Sequence, residues 1–284
     1  MSYSWEQHER GAGGKRVQDV DCDGFATSFV AKGHKKMGGR DARDATNWSA
    51  LIRDFDIEPF TYAEYEAILC RLRENGFISA SLPVSDKADG KKLYLQHDVD
   101  ADIESARRLA EIEVDVGFTS TFFFLVGSDF YNIFSKEAQG LFSYLVGWGY
   151  GIGLHYDASL GIPAKTQSLI LEVASCTDIG LATVHQGRWA RDYTEEFVKA
   201  AVIDARVEPT EHSVYRADSY GEWRHGHPLD LQVLAKSDIN LCINCHPLWW
   251  NEEYESRIFL LHEFVDRKKK QVAESLAENI AALF

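Results

Sequence analysis

From Leu93 onward the sequence alternates short apolar runs with longer amphipathic ones, and no feature constrains the fold more. LYLQH, TSTFFFLV, GIGLHY, GLATVH, SVYRAD and INLCINC read as strands, and IFLLHEF is the candidate for a last one. Between them, IESARRLAEIEVDVG, SKEAQGLFSYLVGW, KTQSLILEVASC, YTEEFVKAAVIDA and PLDLQVLAK read as helices. An amphipathic helix around Lys269–Leu283 closes the chain. Gly117 is placed to end the first of these helices as a left-handed cap. The strands are apolar throughout, without a polar face, as in a parallel sheet covered by helices. This predicts an α/β fold, and a barrel and an open doubly wound sheet fit the pattern equally.

Upstream the text differs. Residues 1–47 are rich in glycine and charge and show no sustained period, which predicts a loosely ordered extension before a single domain over 48–284. A helix is expected over Thr61–Glu74, where Tyr65, Ile68, Leu69 and Leu72 fall at helical spacing. No apolar run follows the charges at the N-terminus and none is long enough to span a bilayer, so a cytoplasmic location without a transmembrane segment is expected. The formal net charge of -14 opposes contact with phosphate backbones, so nucleic acid is not an expected partner. Five cysteines in such a compartment read as free thiols.

Polar residues follow the predicted strands one after another. His97-Asp98-Val99-Asp100 comes first, then His155-Tyr156-Asp157, His185, Arg216-Ala217-Asp218 and Cys245-His246-Pro247. In parallel α/β folds the C-terminal strand ends converge on one face, which carries the site. One histidine at a strand end is usually a packing residue. Several acids and imidazoles at matching positions on successive strands point to chemistry. Two neutral imidazoles and a carboxylate make a three-ligand site for Zn²⁺ with a position left for water. Asp98 and Asp100 lie two apart and share a face, one for a metal and one to act as base. His246 is a candidate acid for a leaving amine, with Asp218 as its carboxylate partner.

These residues resemble the polysaccharide deacetylase superfamily, the NodB-homology or carbohydrate esterase family 4 proteins, over about Leu93 to Glu263. The resemblance implies a deformed (β/α) barrel of about seven strands. It casts HDVD as the first motif, with Asp98 the base and Asp100 a metal ligand. The family's second motif is His-x-x-x-His; here His155 is followed at the fourth position by Ser159, and His185 is taken as the replacement ligand. YRADSYGEWR resembles a merged third and fourth motif, with Arg216 orienting the base, then Asp218 and Trp223. Arg188 is a rival for the arginine role and a substrate-binding candidate. INCHPLWW resembles the fifth motif, ending in the acid His246, and Trp223, Trp249 and Trp250 are candidate sugar platforms because aromatic faces suit sugar rings. The overall pattern is most similar to deacetylase-like proteins of bacterial surface-polysaccharide and O-antigen assembly. It implies a zinc-dependent deacetylase acting on an acetylated amino sugar, and the expected cytoplasmic location narrows the substrate to a nucleotide-linked or lipid-linked sugar or a growing glycan before export.

Other readings compete. A glycosyltransferase would use Asp98 and Asp100 as a DxD motif but leaves His155, His185 and His246 without work. A dehalogenase-type phosphatase would need a downstream lysine and acidic pair that the sequence lacks in matching contexts. An amidohydrolase acting on a cyclic amide or ureide and a non-catalytic sugar-binding protein use the same fold, and Ser159 in place of a histidine keeps the latter open. Cys242-Ile-Asn-Cys245-His246 matches a haem-attachment pattern, but its cysteines read as core thiols. Asp98, Asp100 and Asp102 mimic an EF-hand, which Ile103 breaks at the obligatory glycine. The glycines at 147, 149, 151 and 153 precede a strand and so form no phosphate loop.

Overall fold

The computed structural model describes residues 60–185, 192–207, 209–253 and 256–281. All lie in the second of two units, Asp54–Phe284, and the expected extension over 1–47 falls outside them. Eight parallel strands form one sheet: β1 (Ile78–Ser79), β2 (Lys91–Val99), β3 (Ser120–Phe124), β4 (Gly151–Tyr156), β5 (Leu181–Val184), β6 (Ile203–Asp204), β7 (Ser213–Ala217) and β8 (Ile239–Cys245). Seven run in the order β6-β5-β4-β3-β2-β8-β7, and β1 flanks the start of β2. The helices are α1 (Tyr62–Glu74), α2 (Ile103–Val116), α3 (Lys136–Gly147), α4 (Ala164–Ser175), α5 (Thr194–Ala200), α6 (Leu231–Leu234) and α7 (Arg257–Ala281).

The sheet curls. Ala205 and Val207, just past β6 at one edge, share a buried cluster with Tyr215 and Ala217 of β7 at the other. Tyr94, Phe123 and Cys242 complete it from the middle strands. Among the described residues the edges do not pair, so the result is an α/β half-barrel, a deformed and unclosed version of the barrel.

Side-chain alternation sorts each strand between the concave interior and the helix-covered outside. On β2, Leu93, Leu95 and Val99 pack outward beneath helices, whereas Tyr94 and Asp98 face inward. Phe122 and Phe124 of β3 go outward and Phe123 inward. The glycines of β4 are explained by that inward ring. A Cβ on Gly153 would sit 2.4 Å from Phe123 Cε1, and one on Gly151 would sit 2.6 Å from Thr121 Oγ1. Gly149, at φ +77°, makes the turn that leads into the strand.

Outside the sheet, a buried carboxylate ties four elements together. Glu113 of α2 accepts hydrogen bonds from Tyr65 Oη (2.6 Å) and Ser120 Oγ (2.7 Å) and meets His97 Nε2 at 2.6 Å. A fully buried acid is tolerated only when its oxygens are satisfied in this way. The His97 ring stacks on Phe122 at 4.2 Å, so this histidine belongs to the packing layer. Asp102 caps α2 by accepting from the Glu104 and Ser105 amides, and Gly117 (φ +86°) ends the helix as expected.

Three elements depart from the sequence reading. Residues 258–264 are the docked start of α7, where Arg257, Leu260 and Phe264 are buried at helical spacing, and not a strand. The expected helix over 193–205 stops at Ala200, because Ala201 turns left-handed (φ +58°) and Ile203–Asp204 pair with Leu181–Ala182. The helix expected over 228–236 is a single turn. No helix among the described residues is long and apolar enough to cross a membrane.

Gly153→Ala should destabilise the protein by about 1–3 kcal/mol through overpacking against Phe123. Thermal unfolding should show the loss, and the loss should shrink in a Phe123→Leu background, since the two positions are coupled.

Candidate metal and acid-base site

The C-terminal ends of β2, β4, β5, β7 and β8 and the residues just past them bring together Asp98, Asp100, His155, Thr183, His185, Tyr215, Asp218, Asn244 and His246. The β4–β5 register sets His155 opposite Thr183, with His185 two residues further on.

Asp100, His155 and His185 converge. Asp100 Oδ1 lies 3.3 Å from His155 Nε2 and 3.2 Å from His185 Nδ1, and the two nitrogens are 3.2 Å apart. Ligands about 2.0–2.1 Å from a tetrahedral ion stand ~3.3 Å from one another. The triangle therefore has the size of one face of such a coordination shell. Asp100 Oδ1 is buried and lacks a well-directed hydrogen-bond donor, as an atom reserved for a cation would. The donor set, one carboxylate oxygen and two imidazole nitrogens, fits a divalent ion of the zinc type. Thr183 Oγ1 stands 2.7 Å from His155 Nδ1, and in the tautomer where Nδ1–H donates to that hydroxyl, Nε2 carries a lone pair toward the triangle.

Electrostatics agree with that geometry. Burial raises the Asp100 carboxyl, but contacts with His155 and His185 outweigh it and hold the group far below the ordinary carboxylate range. Burial lowers the His155 imidazole, and the charges of Asp98 and Asp100 more than offset this, leaving it raised. The pocket is thus negative and attracts positive charge.

Beside the triangle stand a histidine–aspartate pair and a second inward carboxylate. His246 Nδ1 meets Asp218 Oδ1 at 2.7 Å. The same carboxylate accepts from the His246 backbone amide (2.9 and 3.0 Å) and from Trp250 Nε1 (2.7 Å). The other ring nitrogen, Nε2, faces Asp98 Oδ2 at 3.8 Å. Burial lowers the His246 pKa, but Asp218, then Asp98 and Asp100, lift it to about 10. Asp98 is 7 % exposed and accepts from Asn244 Nδ2 at 2.8 Å.

Several sequence candidates sit elsewhere. Arg216 alternates to the opposite face from Tyr215 and Ala217, where it pairs with Asp230 at 3.1 Å and reaches His227 O at 3.3 Å. Arg188 lies outside the described residues. Trp223 packs against Phe60 (5.7 Å) and His227 (5.7 Å), and Trp249 lies half-buried against the outer core. Ser159 is exposed in a 3-10 turn after β4. Cys242 faces the interior cluster and Cys245 the outer one, so the pair cannot chelate a common ion. Burial raises both thiols, Cys242 to about 12.

Asn244, Thr183 and Tyr215 were not singled out by the sequence. Each is inward-facing by alternation, one or two residues before a strand end, and that parity is the signal that marks them.

No family model matches this sequence, and no curated protein matches it. Among solved structures the chain is similar to a mutant of BA3943, described as a CE4 family pseudoenzyme with restored enzymatic activity. The two are 16% identical over 68% of this chain and 67% of that one, with a TM-score of 0.39. A likeness of that size establishes neither membership of a family nor an activity. What the fold and donor set define is a parallel α/β half-barrel with a candidate mononuclear metal site at its C-terminal strand ends.

Purified protein supplied with zinc should hold about one ion per chain, measured by elemental mass spectrometry. Asp100→Ala, His155→Ala and His185→Ala should each lose most of it, and Ser159→Ala should keep it.

Proposed function

We propose that this protein is a metal-dependent deacetylase that hydrolyses the N-acetyl group of an amino sugar. The observation that carries the reading is the three-atom triangle of Asp100, His155 and His185, with sides of 3.2–3.3 Å, flanked by Asp98 and the Asp218–His246 pair. A divalent ion held there supplies Lewis acidity toward the amide carbonyl and lowers the pKa of a water. Asp98, the inward carboxylate not in the triangle, takes a proton from the attacking water. The water oxygen bonds to the carbonyl carbon and the C–N bond breaks. His246 gives its Nε2 proton to the departing nitrogen, while Nδ1–H stays bonded to Asp218. The products are acetate and a free amine.

The paired charges suit these roles. With a pKa of about 10, His246 is protonated at neutral pH and can act as an acid. Asp218 is fully buried and accepts from two further donors, the His246 backbone amide and Trp250 Nε1, so it is fixed in place as the partner of the imidazolium. The amino-sugar substrate and a place in bacterial surface-polysaccharide assembly rest on the resemblance of HDVD, GLHYD, YRADSYGEW and INCHP to the deacetylase motifs.

Acetate release from N-acetylated amino sugars, free and nucleotide-linked, tests the reading. Zinc-loaded protein should turn over at least one of them. Asp98→Asn and His246→Ala should each lower kcat by about 100-fold or more while retaining metal. Metal bound without turnover on any acetylated sugar would point instead to a binding protein.

The pH dependence follows from the direction of the His246 shift. Its protonated form is the active acid, so activity should persist above the ordinary imidazole value of ~6.5 and fall as pH rises through the raised pKa. The contribution of the imidazolium to stability follows the same sign, full below ~6.5 and lost as pH climbs through about 10. Removing the Asp218 charge removes the main cause of the elevation, so the alkaline limb of kcat/KM in Asp218→Asn should move to lower pH.

A further inference from the structure

The Asp98 carboxylate is gripped from two sides, and neither grip is an arginine. Asn244 Nδ2 donates to Oδ2 at 2.8 Å and also reaches the Tyr215 hydroxyl at 3.2 Å. Thr183 Oγ1 lies 3.4 Å from Oδ1 and bridges to the ligand His155. Among the described residues no lysine or arginine forms an ion pair with Asp98; the ionic neighbours are His155 at 3.7 Å and His246 at 3.8 Å. Arg216 is turned to the other face of the sheet and held by Asp230.

Asn244 is well placed to hold a carboxylate still. It lies on β8, which pairs with β2 on one side and β7 on the other, so its backbone is fixed from both flanks. It is 4 % exposed, and its register partner on β2 is Gln96, two residues before Asp98 on the same inward face. The amide orientation is dictated chemically. With Oδ1 turned toward Asp98, two acceptors would meet at 2.8 Å; with Nδ2 there, the contact is a charge-assisted hydrogen bond. Oδ1 is left buried without a donor, so the side chain is oriented for what Nδ2 holds.

We propose that Asn244, steadied by Tyr215, is the positioning residue for Asp98, a neutral amide that orients the base through a charge-assisted hydrogen bond. This rests on reading Asp98 as the base. The physical advantage is electrostatic. A guanidinium beside Asp98 would add a full positive charge next to a triangle shaped for a cation, whereas an amide fixes direction without that repulsion.

Two measurements test the assignment on the zinc-loaded full chain. In the first, asparagine is ¹⁵N-labelled and the side-chain amide pairs are followed by NMR; the pair missing from Asn244→Leu identifies Asn244. Its amide protons should exchange with solvent slowly in the wild type. That protection should fall by at least about tenfold in Asp98→Ala, and less in Asp98→Asn, where an acceptor remains. Two variants are used so that a folding defect in one does not decide the result. Protection unchanged in both would overturn the proposal.

The second measurement is kinetic. Asn244→Leu should lower kcat about 10- to 100-fold, as loss of a supporting hydrogen bond does, with KM within about twofold and zinc content unchanged. Asn244→Asp keeps the shape but sets two carboxylates together, and should be the worse of the two. Turnover within twofold of wild type in both variants would overturn the proposal. If the wild-type protein releases acetate from no acetylated amino sugar, the deacetylase reading fails on its own, and the exchange comparison alone decides whether Asn244 holds Asp98.

Discussion

Alternation of side chains across a curled parallel sheet is the constraint on which everything else depends. Each strand must send one set of residues beneath the helices and the other into a narrow interior. The outward set is largely apolar, from Leu93, Leu95 and Val99 to Leu241, Ile243 and Cys245, and its buried polar member on β2, His97, is paired with Glu113. The inward set is apolar midway along the strands, where Tyr94, Phe123 and Cys242 meet, and becomes polar toward the C-terminal strand ends. Because the strands are parallel, the polar ends of five of them open at the same rim.

Two buried charge networks stand on opposite faces of β2 and serve different ends. Outside, Glu113 is surrounded by His97, Tyr65 and Ser120, and both of its oxygens are satisfied. That network joins helices to sheet and leaves its carboxylate no capacity for a ligand. Inside, Asp100 presents an oxygen with no directed donor toward two imidazoles. The residue types are nearly the same in both places. Satisfied acceptors make a structural joint, and converging unsatisfied acceptors make a candidate cation site. Asp98, Asp100 and Asp102, evenly spaced in sequence, divide along similar lines: one is held by an amide, one joins the triangle, and one caps α2 and pairs with Arg267.

Much of this is legible in the primary structure where the pattern is long and the chemistry specific. The strands at Leu93, Gly151 and Ile239 are mostly apolar runs bounded by glycine or charge, and they form as expected. The alternation failed where a run was short. Residues 258–261 are continuously apolar, and only the amphipathic stretch that follows makes them helical. Ile203–Asp204 gain strand character from Leu181–Ala182, a partner 22 residues away that local propensity does not register.

What the sequence determined by itself is the parallel α/β class and the identity of the polar residues that end its strands, because both follow from periodicity and from the placement of acids and imidazoles after apolar runs. The tertiary structure decided which of those residues meet. Strand register set His185 beside His155 and Asp100, and strand parity turned Arg216 away toward Asp230. It also brought Asn244, Thr183 and Tyr215 to the inward acids. Those contacts span separations of 29 to 146 residues. They are fixed only when the sheet curls and its strand ends share one interior, a geometry that no local pattern encodes.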